Sequence, residues 1–330
     1  MERELAIEFV RVTEVAAIAS ARWMGRGDKE AADQAAVNAM REMFETVDVD
    51  GEVVIGEGEI DEAPRLYAGE KIGSRVEEVP EVDIAVDPLE GTTIIAEGRP
   101  NALSVLAVGE RDSFLQAPDM YMDKLAVGAE AKGAINIDKS IKDNIKKVAS
   151  TMDKPISEVT VVILDKPRHR KEGGLIDQVR DIGAKMKLID DGDVAAALAT
   201  GLPDTGVDML MGIGGAPEGV LAAAGLKCLG GEMQARLAPR KEADVKRAKE
   251  FGIEEVEAPL RMPDLVKGDK VIFSATGVTD GEMLEGVRFN GGQIVTDSLV
   301  MRSKTGTLRF VETVHQLDKK PVVGNYMGQE

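Results

Sequence analysis

Asp87 and Glu90 stand three residues apart in Val82-Asp83-Ile84-Ala85-Val86-Asp87-Pro88-Leu89-Glu90-Gly91-Thr92-Thr93, with a threonine hydroxyl just beyond them. Two carboxylates, a hydroxyl and a set of backbone N–H groups at one strand end can hold hard divalent cations and a phosphate together. More acids precede them: Asp33, and Glu57, Glu59 and Asp61 in a glycine-interleaved run at 56–64. Others follow far downstream, in Asp190-Asp191-Gly192-Asp193 and in Gly212-Ile213-Gly214-Gly215-Ala216-Pro217-Glu218-Gly219. Against them stands one dense cationic stretch, Asp165-Lys166-Pro167-Arg168-His169-Arg170. Arginine matches the geometry of a phosphate, so basic residues at a strand end of an acidic chain point to phosphate recognition.

Each of these has a plainer reading. Asp87 can cap a turn while Glu90 is solvated, and Lys29 with Asp33 can form an i, i+4 pair on a helix edge. The acidic run at 56–64 and the basic run at 165–170 can be solvated loops. Glu218 can serve only the dipole of the helix it opens, and Tyr121 can be packing.

Along the chain, residues 4–24 have Leu5, Phe9, Val12, Ala16 and Ala19 at helical spacing, and Gly25-Arg26-Gly27 breaks that helix. Asp28 can cap a second helix to Phe44, with Asp33 on the same side as Val37, Met40 and Phe44. Residues 52–55 form a short strand. The alternation of 82–87 makes another, which Pro88 should end. Residues 102–108 read as a buried strand, and 120–124 as a polar-flanked loop carrying Tyr121. Further on, helices are expected at 137–151 and 173–187. Strands are expected at 159–164, 187–189 and 208–211, and the last of these leads into a glycine loop before a helix that Pro217 opens. Strands at 271–274, 294–301 and 308–315 follow, the last two as a hairpin about 303–307.

The chain has 330 residues, a net charge of −18 and 43% hydrophobic residues, which fits a globular protein of one large or two medium domains. That charge argues against nucleic acid or an anionic membrane as main partner. The single cysteine, Cys228, excludes an intrachain disulfide and fits a reducing compartment. The first residues have no signal-peptide core and no run reaches membrane-spanning length, so a cytoplasmic location is expected. Two histidines leave little room for imidazole zinc sites. Neither a Gly-x-Ser-x-Gly elbow nor a P-loop is present. Abundant carboxylate suits Mg2+, Mn2+ or Ca2+.

The run Asp87-Pro88-Leu89-Glu90-Gly91-Thr92 resembles the signature of the lithium-sensitive, metal-dependent phosphatase superfamily. Together with Gly27-Asp28-Lys29 through Asp33, Gly56-Glu57-Gly58-Glu59 with Asp61, and the 212–219 run, the chain resembles the class II fructose-1,6-bisphosphatases. That resemblance implies a layered α-β-α-β-α sandwich of the α/β class. It also implies metal-dependent hydrolysis of the 1-phosphate of fructose 1,6-bisphosphate by direct attack of water. Sedoheptulose 1,7-bisphosphate is the alternative second substrate. Two or more Mg2+ or Mn2+ ions would be held by Asp33, Glu57, Asp87, Glu90 and Glu218. Thr92 would orient the water, with Asp61, Glu57 and Lys29 in support. Glu90, Gly91, Thr92, Tyr121, Lys166, Pro167, Arg168, Asp191, Gly192, Asp193 and Gly215 would hold the substrate. The expected division is a metal-binding domain over 1–155 and a sugar-phosphate-binding domain over 156–330 that contributes Glu218, in a homo-oligomer, dimer or tetramer. Three other readings are an inositol or nucleotide monophosphatase, a dinucleotide-dependent oxidoreductase built on 212–219, and a non-catalytic Ca2+-stabilised protein. Pro217 stands where the dinucleotide fingerprint requires glycine.

Overall fold

A computed structural model describes residues 5–58 and 65–316. The chain opens with α1 (Leu5–Ala21) and α2 (Lys29–Phe44), and Asp28 caps the second as expected, its Oδ1 accepting the Ala31 N–H at 3.0 Å. β1 (Asp50–Ile55), β2 (Lys71–Ile72), β3 (Glu81–Glu90), α3 (Thr92–Ala96) and β4 (Leu103–Glu110) follow. The middle of the chain forms β5 (Tyr121–Val127), α4 (Ile141–Thr151), β6 (Thr160–Leu164), α5 (Pro167–Arg170), α6 (Leu175–Ile182) and β7 (Lys185–Ile189). It continues with α7 (Asp193–Ala199), β8 (Met209–Gly215), α8 (Ala216–Leu229), β9 (Glu232–Leu237), α9 (Glu242–Glu250), β10 (Leu260–Arg261) and α10 (Met262–Leu265). β11 (Ile272–Gly277), β12 (Arg288–Asn290), β13 (Gln293–Arg302) and β14 (Thr307–Gln316) end it.

Two compact units form, one from the residues through Ser113 together with those from Gly268 on, the other from Phe114–Lys267. The expected division at 155/156 falls inside the second unit. β5, before that point, pairs with β8 and β9 after it, and β11 returns to pair with β4. Each unit layers helices on a mixed sheet, as an α/β chain should.

The first unit's eight strands run β12-β13-β11-β4-β3-β1-β2, with β14 on the other edge of β13. α1 packs against β4, β11 and β13 and is buried on almost every side, Phe9, Val12 and Ala16 completely. Its hydroxyls at that depth are satisfied. Ser20 donates to Ala16 O at 2.9 Å. Thr13 meets Ser274 at 3.1 Å and accepts from Thr276 at 2.7 Å, and Thr276 meets Ser298 at 2.8 Å. β13 and β14 pair over their full length about a turn closed by Gly306, which confirms the hairpin.

Pro88 does not end β3. The strand continues to Glu90 through a bulge: Asp87 lies opposite Val105 and Glu90 opposite Leu103, so β3 carries one extra residue. A bulge takes Pro88, which has no N–H, out of the ladder without ending the pairing.

The second unit's strands run β10-β9-β5-β8-β6-β7, with β6 parallel to β7 and β8. Two expectations are corrected here. Residues 121–127 are a strand, paired on both edges, and the glycine run 212–215 is the end of β8. Glycine has no intrinsic strand preference, and tertiary pairing with Tyr121–Lys124 overrides it. The helix expected over 137–151 begins only at Ile141, because Ser140 accepts the Asp143 N–H as its cap. The one expected over 173–187 stops at Ile182, where Gly183 adopts φ 84°.

Candidate active site

In the first unit, the end of β3 and the start of α3 place Asp87, Glu90, Gly91 and Thr92 in succession. Asp87 is half-buried and its Oδ1 accepts the Leu89 N–H at 3.2 Å, while Glu90 is buried. Gly91 has φ 92°, which a side chain would strain, and a Cβ there would stand 2.9 Å from Ile94 Cδ1. Thr92 is then the first residue of the helix. Glu57 is half-buried just past β1, its N–H donating to Leu66 O at 3.0 Å. Asp61 lies outside the described residues.

Asp33 is half-buried on α2, and burial raises its carboxyl to about 6. Lys29, a turn earlier, is exposed, and among the described residues no Lys29–Asp33 ion pair forms. The plain helix-edge pairing is thereby corrected: the lysine stays in solvent, where an i, i+4 pair gains only a few tenths of a kcal/mol.

In the second unit, the strand ends and helix starts deliver the cations. Arg168 donates from Nε and Nη2 to Ile213 O, at 2.8 and 2.5 Å, and its guanidinium lies 4.6 Å from the Tyr121 ring centre. Arg240 lies 4.3 Å from the same ring. Pro167 is the first residue of α5 and is exposed, while Lys166 is half-buried. Asp191, after β7, is raised by burial, with the Lys166 charge acting to lower it. Gly192 takes φ 87° and starts α7 with the buried Asp193.

The basic cluster thus divides by partner. Arg170 forms a two-pronged pair with Asp165, Nε to Oδ1 and Nη2 to Oδ2. His169 is buried and neutral in role: Nδ1 meets Leu164 O at 2.7 Å while Nε2 accepts the Ile213 N–H at 2.9 Å, and burial holds its pKa low. Only Lys166 and Arg168 retain the character expected of phosphate-binding groups.

Lys124 is the residue that sequence reasoning missed. It is 2% exposed and pairs with Asp193 Oδ2 at 2.5 Å. Glu218, in the first turn of α8, joins this group: burial raises its carboxyl, the Asp193 charge raises it further, and Lys124 opposes them. Its Oε2 is shielded from water and has no hydrogen-bond partner among the described residues. The glycines of β8 make room for these side chains. A Cβ on Gly214 would overlap Asp193 Oδ2, and one on Gly215 would overlap Glu218 Oε2. A signal for Lys124 was present: Met120, Met122 and Ala126 share its alternation and are buried. A lysine on such a face requires a charged partner.

Among the described residues, no three His, Cys, Asp or Glu side chains are gathered closely enough to share an ion. The donor chemistry nonetheless fits a hard divalent cation. The candidate ligands are all carboxylates, Glu218 has an unpartnered buried oxygen, and burial disfavours the ionised form of both Asp33 and Glu218 until a cation joins them.

A family model described as bacterial fructose-1,6-bisphosphatase, glpX-encoded, matches residues 3–315. The chain belongs to this family. It is 50% identical over 333 residues to fructose-1,6-bisphosphatase 1 class 2 of Escherichia coli (strain K12), covering 97% of each chain. It is 48% identical to the class 2 fructose-1,6-bisphosphatase of Haemophilus influenzae, covering 96% of this chain and 98% of that one. Membership of the glpX-encoded family carries a requirement for a divalent metal. Among the described residues, no helix is long and apolar enough to cross a membrane.

Proposed function

We propose that this protein hydrolyses the 1-phosphate of fructose 1,6-bisphosphate to give fructose 6-phosphate and phosphate, with two or more Mg2+ or Mn2+ ions. The observation that carries this reading is similarity at 50% identity, over 97% of each chain, to a class 2 fructose-1,6-bisphosphatase. In this reading the metal ligands are Asp33, Glu57, Asp87, Glu90 and Glu218. When bound, the cations neutralise phosphoryl oxygens and lower the pKa of the attacking water. Thr92 orients that water, with Asp61, Glu57 and Lys29 in support. Glu90, Gly91 and Thr92 receive the 1-phosphate. Lys166, Pro167 and Arg168 hold the distal phosphate, and Tyr121, Asp191, Gly192, Asp193 and Gly215 hold the sugar. The second unit's geometry supports the distal assignment: Arg168 is oriented by Ile213 O and Tyr121, so its guanidinium is pre-set before a ligand arrives.

The reading also places the chain in the lithium-sensitive superfamily, in a cytoplasmic homo-oligomer, with Li+ as an expected inhibitor. The test is phosphate release from a panel of sugar phosphates with Mn2+ or Mg2+, sedoheptulose 1,7-bisphosphate included. Release from fructose 1,6-bisphosphate is expected to stop with EDTA and in Asp87→Ala. Near-normal turnover by Asp87→Ala would remove the proposed centre.

A further inference from the structure

The second unit holds a cavity of about 370 Å3, the size of a small-metabolite site. Its walls include Asp123 and Leu125 of β5. Successive side chains of a strand face opposite ways, so the cavity lies on the other face of the sheet from Lys124 and its partner Asp193. It is therefore separate from the group around Glu218, and of the residues proposed to hold the substrate only Arg168 lines it.

The chemistry of the lining is particular. Leu125, Ile141, Leu175 and Met211 supply an apolar floor. Lys139, Lys171 and Arg168 supply three cations against one carboxylate, Asp123, in a chain whose net charge is −18. Arg168 is engaged by Ile213 O and Tyr121, whereas Lys139 and Lys171 make no ion pair among the described residues and are exposed at the rim. Burial raises the Asp123 carboxyl, so the single acid resists ionisation. His169, also in the wall, has both ring nitrogens occupied and adds no charge.

We propose that this cavity binds a small organic anion, its apolar body on Leu125, Ile141, Leu175 and Met211 and its phosphonate, phosphate or carboxylate head met by Lys139 and Lys171. Lysines without an ion-pair partner at the rim of a cavity that holds a single acid give such a head both attraction and orientation.

The probe is phenylphosphonate, which carries a ring and a dianion and cannot be hydrolysed as a phosphate ester. Calorimetric titration of the full chain with Mg2+ is run with and without saturating fructose 6-phosphate. Saturable binding is expected in both, and Lys139→Glu/Lys171→Glu should weaken it by roughly tenfold or more, the effect of at least one lost charge-assisted hydrogen bond. Lys139→Gln/Lys171→Gln should fall in the same direction without added repulsion. Both lysines are exposed, so the variants' melting temperatures without probe should match the parent. Absence of saturable binding, displacement of the probe by fructose 6-phosphate, or unchanged affinity in both double variants would each overturn the site. The titration needs no turnover, so its result is independent of the proposed hydrolysis.

Discussion

Removing the Lys124 charge should unfold the second unit far more readily than any nearby surface change. The ammonium is almost wholly enclosed and bonded to Asp193 Oδ2 at 2.5 Å, and Glu218 adds a second carboxylate to the same group. Lys124→Met keeps most of the apolar stem of the side chain but leaves Asp193 buried without its cation. Breaking a buried pair from one side costs about 3–5 kcal/mol, because the remaining charge stays desolvated. For a unit of about 150 residues each kcal/mol moves the melting temperature by about 2–4 °C, so the drop should be roughly 6–20 °C. Neutralising both members, Lys124→Met with Asp193→Asn, should restore part of the loss, since no lone charge then remains. Calorimetry and urea titration of the metal-free chain at neutral pH measure Lys124→Met, Asp193→Asn and the double variant. A single-variant loss under about 1 kcal/mol, or a double-variant loss equal to the sum of the singles, would refute the assignment of this pair as a coupled buried unit.

Three further outcomes can be checked. Asp33 has a folded pKa of about 6 against an ordinary 3.8, so the folded state binds more protons between those values. Its contribution to metal-free stability therefore falls as pH rises through that window. Asp33→Asn should raise the metal-free melting temperature at about pH 7.5 and flatten its pH dependence between roughly 4 and 7. Gly215→Ala should cut turnover by about tenfold or more with little change in melting, because its backbone, at φ −70°, tolerates a Cβ but Glu218 must swing aside. Arg170→Ala should leave both the melting temperature and KM essentially unchanged, since its pair with Asp165 lies at the surface, whereas Arg168→Ala should raise KM.

How much of this could be read from the chain follows from what local pattern encodes. The Asp28 cap, the helix to Phe44, the apolar strand before Asp165 and the terminal hairpin were legible, because capping chemistry and apolar periodicity act within a few residues. The Asp87–Thr92 motif was legible as chemistry, but its bulge was not, since the extra residue exists only by register with Val105 and Leu103. Residues 121–127 and 212–215 were hidden for a related reason: their strand character comes from pairing with one another across a long stretch of intervening chain. The fate of the basic cluster was equally non-local. Nothing about Arg168, His169 and Arg170 as a string distinguishes the one that grips Ile213 O from the one that pairs with Asp165.

The hydroxyl contact between Thr13 and Ser274 joins positions 261 apart, and β11 and β13, which cover much of α1, lie after the whole of the 114–267 segment. A ribosome therefore finishes that segment before the opening helix can meet its full native cover. At roughly 5–20 residues per second, α1 waits on the order of ten to fifty seconds with part of its apolar surface unclaimed. A chain released after residue 267 should hold a finished second unit and an opening helix still open to capture by a chaperone.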